Sequence, residues 1–264
     1  MPEESKPLAG KSILVTRPES QANELCEALE REGARTIRIP LIRITEPESW
    51  QEFDEAAKRI DEFAWIIFAS TNAVSSTIER MRKLKVQINK TATKVACIGS
   101  ATQATLLKYG ISADFTPDKF IAETLVEQFP QTAGNKNILW PKTNLGRLLI
   151  KEELEKLGWQ VMIVESYNTC GPQDLRKTAE QILQLIKTQQ LQAITLASSE
   201  TVQQLKAVLE ASNASLSEVL SNVKLVAIGS ATENTCRDLF GRCNAVAKQF
   251  NTEGLVEAVR ESLQ

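Results

Sequence analysis

A nine-residue phrase occurs twice in this chain, as KVACIGSAT from Lys94 to Thr102 and as KLVAIGSAT from Lys224 to Thr232. The likeness runs well beyond it. WIIFASTNAV, ending at Val74, matches AITLASSETV, ending at Val202, and FIAETLVEQF around Glu123 matches FNTEGLVEAV around Glu253. Gly99 and Gly229 are 130 residues apart, as are Glu123 and Glu253. A fainter pair joins SILVTRPESQANELCEALEREGA from Ser12 to NILWPKTNLGRLLIKEELEKLGW from Asn137. Such a spacing is far too long for a solenoid unit and suits a small domain, so the chain is read as two similar domains.

Within each copy, short apolar runs alternate with helical patterns. SILVT, TIRIPLIRI, WIIFAS, KVACI, ADFT, NILW, QVMIVESY, AITLA, KLVAI and CNAVA are the strand candidates. Runs that are apolar without strict alternation suit strands buried on both faces, which predicts parallel sheets covered by helices and an α/β class of doubly wound domains. Helix starts are expected at Ser20, Ser70 with Thr71, Ser100, Ser198 with Ser199, and Ser230. Stops are expected at Gly33, Gly110, Gly158 and Gly241.

Two segments break the rhythm: TIRIPLIRITEP from Thr36 and QVMIVESYNTCGP from Gln160. Each follows the first helix of its repeat, and Pro40 cannot donate to a sheet ladder, so it suits an edge or a crossing better than a sheet centre. They are read as connectors, at 39–42 and 166–169, that pair as a two-stranded hinge. One domain then combines residues 1–38 with 170–264, and the other spans 43–165.

Composition narrows the chemistry. Thirty-one Lys and Arg stand against 33 acidic residues, a net charge of −2, so no broad basic field exists for nucleic acid or anionic lipid. No apolar run approaches the length of a bilayer span, and the opening MPEESKPLAG lacks the basic-then-apolar order of a signal peptide; a cytoplasmic protein is expected. The five cysteines, Cys26, Cys97, Cys170, Cys236 and Cys243, form no C-x-x-C pair; Cys97, inside a strand, and Cys26 and Cys236, inside helices, make buried reduced thiols the reading over a disulfide frame or zinc site. Histidine is absent, which excludes Ser-His-Asp and Cys-His catalysis and the commonest neutral-pH base. Neither G-x-G-x-x-G nor G-x-x-x-x-G-K-[ST] is present.

A strand ending at Gly-Ser before a helix exposes the helix's first N–H groups, whose partial positive charge favours an anion. Two copies suggest two matched anion-binding rims.

The chain resembles the uroporphyrinogen-III synthase family. The resemblance covers nearly its whole length and rests on LVTRPESQA from Leu14, IIFASTNAV from Ile66, CIGSAT from Cys97, GWQVMIVESYNT from Gly158, LASSETV from Leu196, AIGSAT from Ala227 and the TEGLVEAV tail. It implies two α/β domains joined by a two-stranded ladder, with an active site in the cleft between them. It implies a lyase that closes the linear tetrapyrrole hydroxymethylbilane, with loss of water and inversion of ring D, through an azafulvene cation and a spirocyclic pyrrolenine. A monomer is expected separately, because no long exposed apolar patch is evident in the sequence. No metal and no cofactor is implied, and no nucleic acid or membrane partner. Because electron-rich pyrroles expel hydroxide readily, a His-free site suffices and the protein's main task is positioning.

For the carboxylates of such a substrate the rims are Ser70, Thr71 and Asn72; Gly99, Ser100 and Thr102; Ser198 and Ser199; and Gly229, Ser230 and Thr232. Each Ser or Thr is equally read as an N-cap, worth about 1 kcal/mol. Tyr167 matches the family's connector tyrosine, a candidate to hydrogen-bond the leaving hydroxyl; alternatively it packs at a hinge. Arg17 is a candidate for pairing a substrate carboxylate, or else a neighbouring acid. Lys142 stands where the family more often has arginine, and Glu200 with Thr201 depart from the family's small residue before Val202. The alternative from another class is a non-catalytic two-domain protein that closes on an anionic small molecule. A sugar-phosphate isomerase also fits Ser/Thr-rich helix starts, but lacks its expected base.

Overall fold

A computed structural model describes residues 6–146, 148–212 and 219–264. The first five residues, part of the opening that bears on targeting, lie outside the described residues, as does Arg147 within the fainter repeat.

The chain divides into two compact units, residues 1–43 with 170–264 and residues 44–169. The first unit holds a five-stranded sheet in the order β10-β9-β8-β1-β2. Its strands are β1 (Ser12–Val15), β2 (Arg35–Arg38), β8 (Ala193–Leu196), β9 (Lys224–Ala227) and β10 (Ala245–Val246). All four pairings are parallel. The N-terminal βα unit thus lies beside the C-terminal half, Ile13 opposite Ala193.

The second unit has the order β3-β7-β6-β4-β5, with β3 (Arg43–Thr45), β4 (Trp65–Phe68), β5 (Lys94–Cys97), β6 (Asn137–Thr143) and β7 (Gln160–Cys170). Here β4 pairs in parallel with β5 and β6, and β6 with β7. The ADFT segment contributes a parallel bridge, Ala96 to Phe115, and the other unit repeats it 130 residues later as Val226 to Ala245.

Strands buried on both faces split their side chains between two cores. Leu14 packs with Ile194, Val202 and Leu205, while its neighbours Ile13 and Val15 pack with Leu25, Leu29 and Leu255. In the second unit Ile66 and Phe68 face Val74 and Ile78, whereas Trp65 and Ile67 face Phe129 and Trp159. Each fully buried side chain of this size contributes roughly 1.5–3 kcal/mol.

The helices covering these sheets are α1 (Glu19–Arg31), α2 (Gln51–Lys58), α3 (Thr71–Lys83), α4 (Ser100–Lys108), α5 (Ala122–Glu127), α6 (Leu149–Lys156), α7 (Leu175–Lys187), α8 (Ser199–Glu210), α9 (Ser230–Phe240) and α10 (Thr252–Leu263). Among the described residues, no helix is long and apolar enough to cross a membrane.

Three sequence expectations change. TIRIPLIRI is two strands of different sheets: Ile39 and Leu41 donate to Val15 and Thr16, but Pro40 between them has no N–H, and the segment 39–42 is not strand. The residues that neighbour β7 are Arg43–Thr45, and Arg43 Nε donates to the Gly171 carbonyl at 3.0 Å. Ser20 is not a cap, because α1 already starts at Glu19 after Pro18 and Ser20 lies inside its first turn. Of the five thiols, Cys26, Cys97 and Cys236 are buried, while Cys170 and Cys243 are partly exposed.

Candidate functional site

In each unit the candidate residues stand at or just beyond the C-terminal ends of parallel strands, where open α/β sheets take ligands. In the second unit, β4 ends two residues before Ser70, whose hydroxyl accepts the Ala73 N–H at 3.1 Å and caps α3. The same oxygen lies 3.0 Å from the phenol oxygen of Tyr167. Tyr167 is 6% exposed and packs in the apolar cluster of Leu139, Val164 and Phe68. Burial pushes its phenol above the ordinary value, and the Ser70 hydrogen bond opposes that only in part.

A bulge explains how Tyr167 comes to this position. The β6–β7 register pairs Lys142 with Glu165 and then Thr143 with Tyr167, leaving Ser166 without a partner. Such an insertion re-aims the side chains that follow it. Ser76, on α3, donates its hydroxyl to the Ser166 carbonyl and clamps the bulge. Beyond it, Thr143 and Thr169 hydroxyls lie 3.2 Å apart, and Thr143 also donates to Asn144. Neither bulge nor hydroxyl cluster is evident from the sequence, though the polar run S-Y-N-T closing an apolar strand is its trace: Ser166, Tyr167 and Asn168 are all buried, against strand alternation.

The duplicated phrase behaves differently from the other Ser-bearing junctions. Gly99 and Gly229, not the serines, occupy the cap positions of α4 and α9, and no side chain caps either helix. Ser100 and Ser230 are exposed first-turn residues, so their hydroxyls are not the caps the sequence suggests. The first-turn N–H groups at 100–102 and 230–232 are therefore left to solvent or ligand. Thr102 and Thr232 are each 4% exposed within those turns. Gly99 has φ 89° and ψ 153°, backbone territory that is essentially glycine's. Gly229 is merely extended, with φ −177°.

By contrast, Ser198 caps α8 by accepting the Thr201 N–H at 3.1 Å. Its neighbour Ser199 donates to the Ala231 carbonyl and accepts from Thr235, tying α8 to α9. Glu200 accepts from Gln204. Thr71 and Asn72 open α3 behind Ser70.

The two basic candidates part ways. Lys142 gives two donors to its own loop, at 2.7 Å to the Thr143 carbonyl and 2.8 Å to that of Leu145, and burial lowers its pKa. Arg17, just past β1, is half-buried. Burial holds its guanidinium below the ordinary value, with Glu24 opposing. A guanidinium desolvated in this way favours an anion that would supply bidentate hydrogen bonds.

A model of the family described as uroporphyrinogen-III synthase HemD matches residues 23–257. The chain belongs to the uroporphyrinogen-III synthase family. The uroporphyrinogen-III synthase of Synechococcus elongatus is 34% identical over 259 residues, covering 97% of each chain. That of Chlorobaculum parvum is 24% identical, covering 96% of this chain and all of the relative. Among solved structures, a mutant uroporphyrinogen III synthase from Thermus thermophilus aligns with a TM-score of 0.67 at 13% identity, over 96% of this chain and 99% of that one. The Helicobacter pylori enzyme aligns with a TM-score of 0.62 at 16% identity, over 96% and 100%. These two share the fold. Membership of a synthase family displaces the non-catalytic binding protein and the isomerase as readings of the duplicated rims.

Proposed function

We propose that the chain is a uroporphyrinogen-III synthase, a lyase that closes hydroxymethylbilane to uroporphyrinogen III with loss of water and inversion of ring D. The match to the family across residues 23–257 carries this reading. The reaction needs little acid–base work from the protein: the pyrrole nitrogen's electrons expel the hydroxyl, giving the azafulvene cation, and ring D closes through the spirocyclic pyrrolenine. What the protein must supply is a folded substrate, held so that inversion outruns head-to-tail closure.

Tyr167 is proposed as the group that meets the leaving hydroxyl. Ser70 holds one face of the phenol oxygen; when Ser70 donates to it, the phenol proton remains free to pass to the departing hydroxide, which leaves as water, and the phenolate regains a proton from the one released when closure restores the aromatic ring D. A phenol with a raised pKa keeps that proton across neutral pH. Arg17 and the uncapped turns beginning at Ser100 and Ser230 are proposed to take carboxylate arms of the substrate. Ser198 and Ser199 act by holding α8 in place, and Lys142 by shaping the loop after β6. The protein is further proposed to act as a cytoplasmic monomer, without metal, cofactor or nucleic acid.

The test is a coupled assay with freshly generated hydroxymethylbilane. The expected product is uroporphyrinogen III, formed faster than spontaneous closure. Accumulation of uroporphyrinogen I at the uncatalysed rate contradicts the reading.

A further inference from the structure

Phe120 is 54% exposed and Phe250 is 74% exposed, and they stand 130 residues apart at matching places in the two units. Each lies in the short segment leading into a helix, α5 in one unit and α10 in the other. Each also lies over the glycine that opens the uncapped helix of its own unit. A Cβ added at Gly99 would sit 3.7 Å from Cβ of Phe120, and one added at Gly229 would sit 3.0 Å from the Phe250 ring.

Single exposed apolar side chains are ordinary and need no explanation. Recurrence sets these two apart. Leu107, 59% exposed, corresponds to Arg237 in the other copy, and Ile121, 49% exposed, corresponds to Asn251. Between these two segments, the exposed apolar side chain that persists in both copies is the phenylalanine beside the glycine. Burial in its own core does not account for it, since neither ring is removed from water.

We propose that Phe120 and Phe250 are positioning residues that hold pyrrole rings of the tetrapyrrole substrate against the rim of each unit. The inference rests on the uroporphyrinogen-III synthase reading. Its occupant is chosen by chemistry: the substrate is a string of flat, electron-rich rings, each carrying carboxylate arms. A phenyl face stacks on or meets the edge of such a ring, while the first-turn N–H groups of the adjacent helix donate to the carboxylate arms. A ring held on its face turns less freely, which favours closure with inversion over head-to-tail closure.

Phe120→Ala and Phe250→Ala, with Phe120→Tyr and Phe250→Tyr as aromatic replacements and Leu107→Ala as the control, test this in the coupled assay. Each alanine variant is expected to raise KM about three- to tenfold, the size of an aromatic contact, and to raise the share of uroporphyrinogen I. The tyrosine variants and Leu107→Ala are expected to keep the wild-type KM and product ratio. Because both rings are exposed, melting temperatures should not move. Alanine variants with wild-type KM and product ratio overturn the proposal, and so do tyrosine variants as impaired as alanine. Wild-type protein that forms no uroporphyrinogen III overturns the functional reading itself, and this proposal with it.

Discussion

The phenol oxygen of Tyr167 lies 3.0 Å from the Ser70 hydroxyl, and that hydroxyl also accepts the Ala73 N–H at 3.1 Å. One serine therefore starts a helix and orients the proposed catalytic phenol. Ser70→Ala removes both. It is expected to lower stability by about 1 kcal/mol, as lost caps do, and to lower turnover. Ser198→Ala removes a cap and a hydrogen bond to the Thr201 hydroxyl and should show at least a similar loss in denaturant melts while leaving the Tyr167 titration unchanged. A Ser70→Ala protein with wild-type turnover contradicts the coupling.

The raised phenol pKa has a checkable sign. Burial is the larger influence and the Ser70 bond the smaller, opposing one. The folded value therefore exceeds the unfolded value of about 10. The stabilisation linked to this group is fully present below about pH 10 and is lost as pH rises through the folded pKa. The chain has two tyrosines, so Tyr109→Phe isolates the group. Ultraviolet titration of that variant is expected to show half-ionisation above about pH 10; a midpoint at or below that value contradicts the burial argument.

Arg17 is held half-buried with Glu24 as its opposing charge. Arg17→Ala should therefore leave the melting temperature unchanged or slightly raised, because a desolvated cation is removed. KM for the bilane should rise about tenfold or more, the scale of hydrogen bonds to a charged group. Arg17→Lys keeps the charge and loses the bidentate fork, so its KM should fall between the two. A large drop in stability with unchanged KM would assign Arg17 to structure instead.

The paired glycines should respond differently to alanine. Gly99→Ala forces a side chain onto φ 89° and should cost on the order of 1–3 kcal/mol. Gly229→Ala meets no backbone strain at φ −177°; its obstacle is the Phe250 ring, 3.0 Å from the new Cβ. That ring is exposed and can swing aside, so the cost should stay below about 1 kcal/mol and vanish in a Phe250→Ala background. Equal losses at the two glycines in chemical denaturation would contradict this.

Much of the architecture is written in local patterns. The buried strands announce themselves as unalternating apolar runs because both faces meet a core, as Leu14 and its neighbours show. Helix stops at Gly33, Gly110, Gly158 and Gly241 all have positive φ. What local pattern hides is partnership. Nothing near Ser100 or Ser230 shows that the preceding glycine takes the cap position, and nothing near Ser166 shows that β6 skips it. Tyr167 and Ser70 are 97 positions apart, so their contact is a property of the sheet order, not of either phrase. Likewise Pro40 signals an interruption, but only the pairing shows that β2 and β3 belong to different sheets.

The central claim is that the protein folds the substrate while the substrate supplies most of the chemistry. Turnover by Tyr167→Phe, measured together with the isomer of the product and the melting temperature, tests it most directly. The account expects a folded enzyme, turnover lowered about tenfold, roughly the value of one transition-state hydrogen bond, and a product that is still uroporphyrinogen III. A variant no faster than spontaneous closure would place the chemistry in the phenol, and one with wild-type turnover would leave Tyr167 a packing residue; either result contradicts the account.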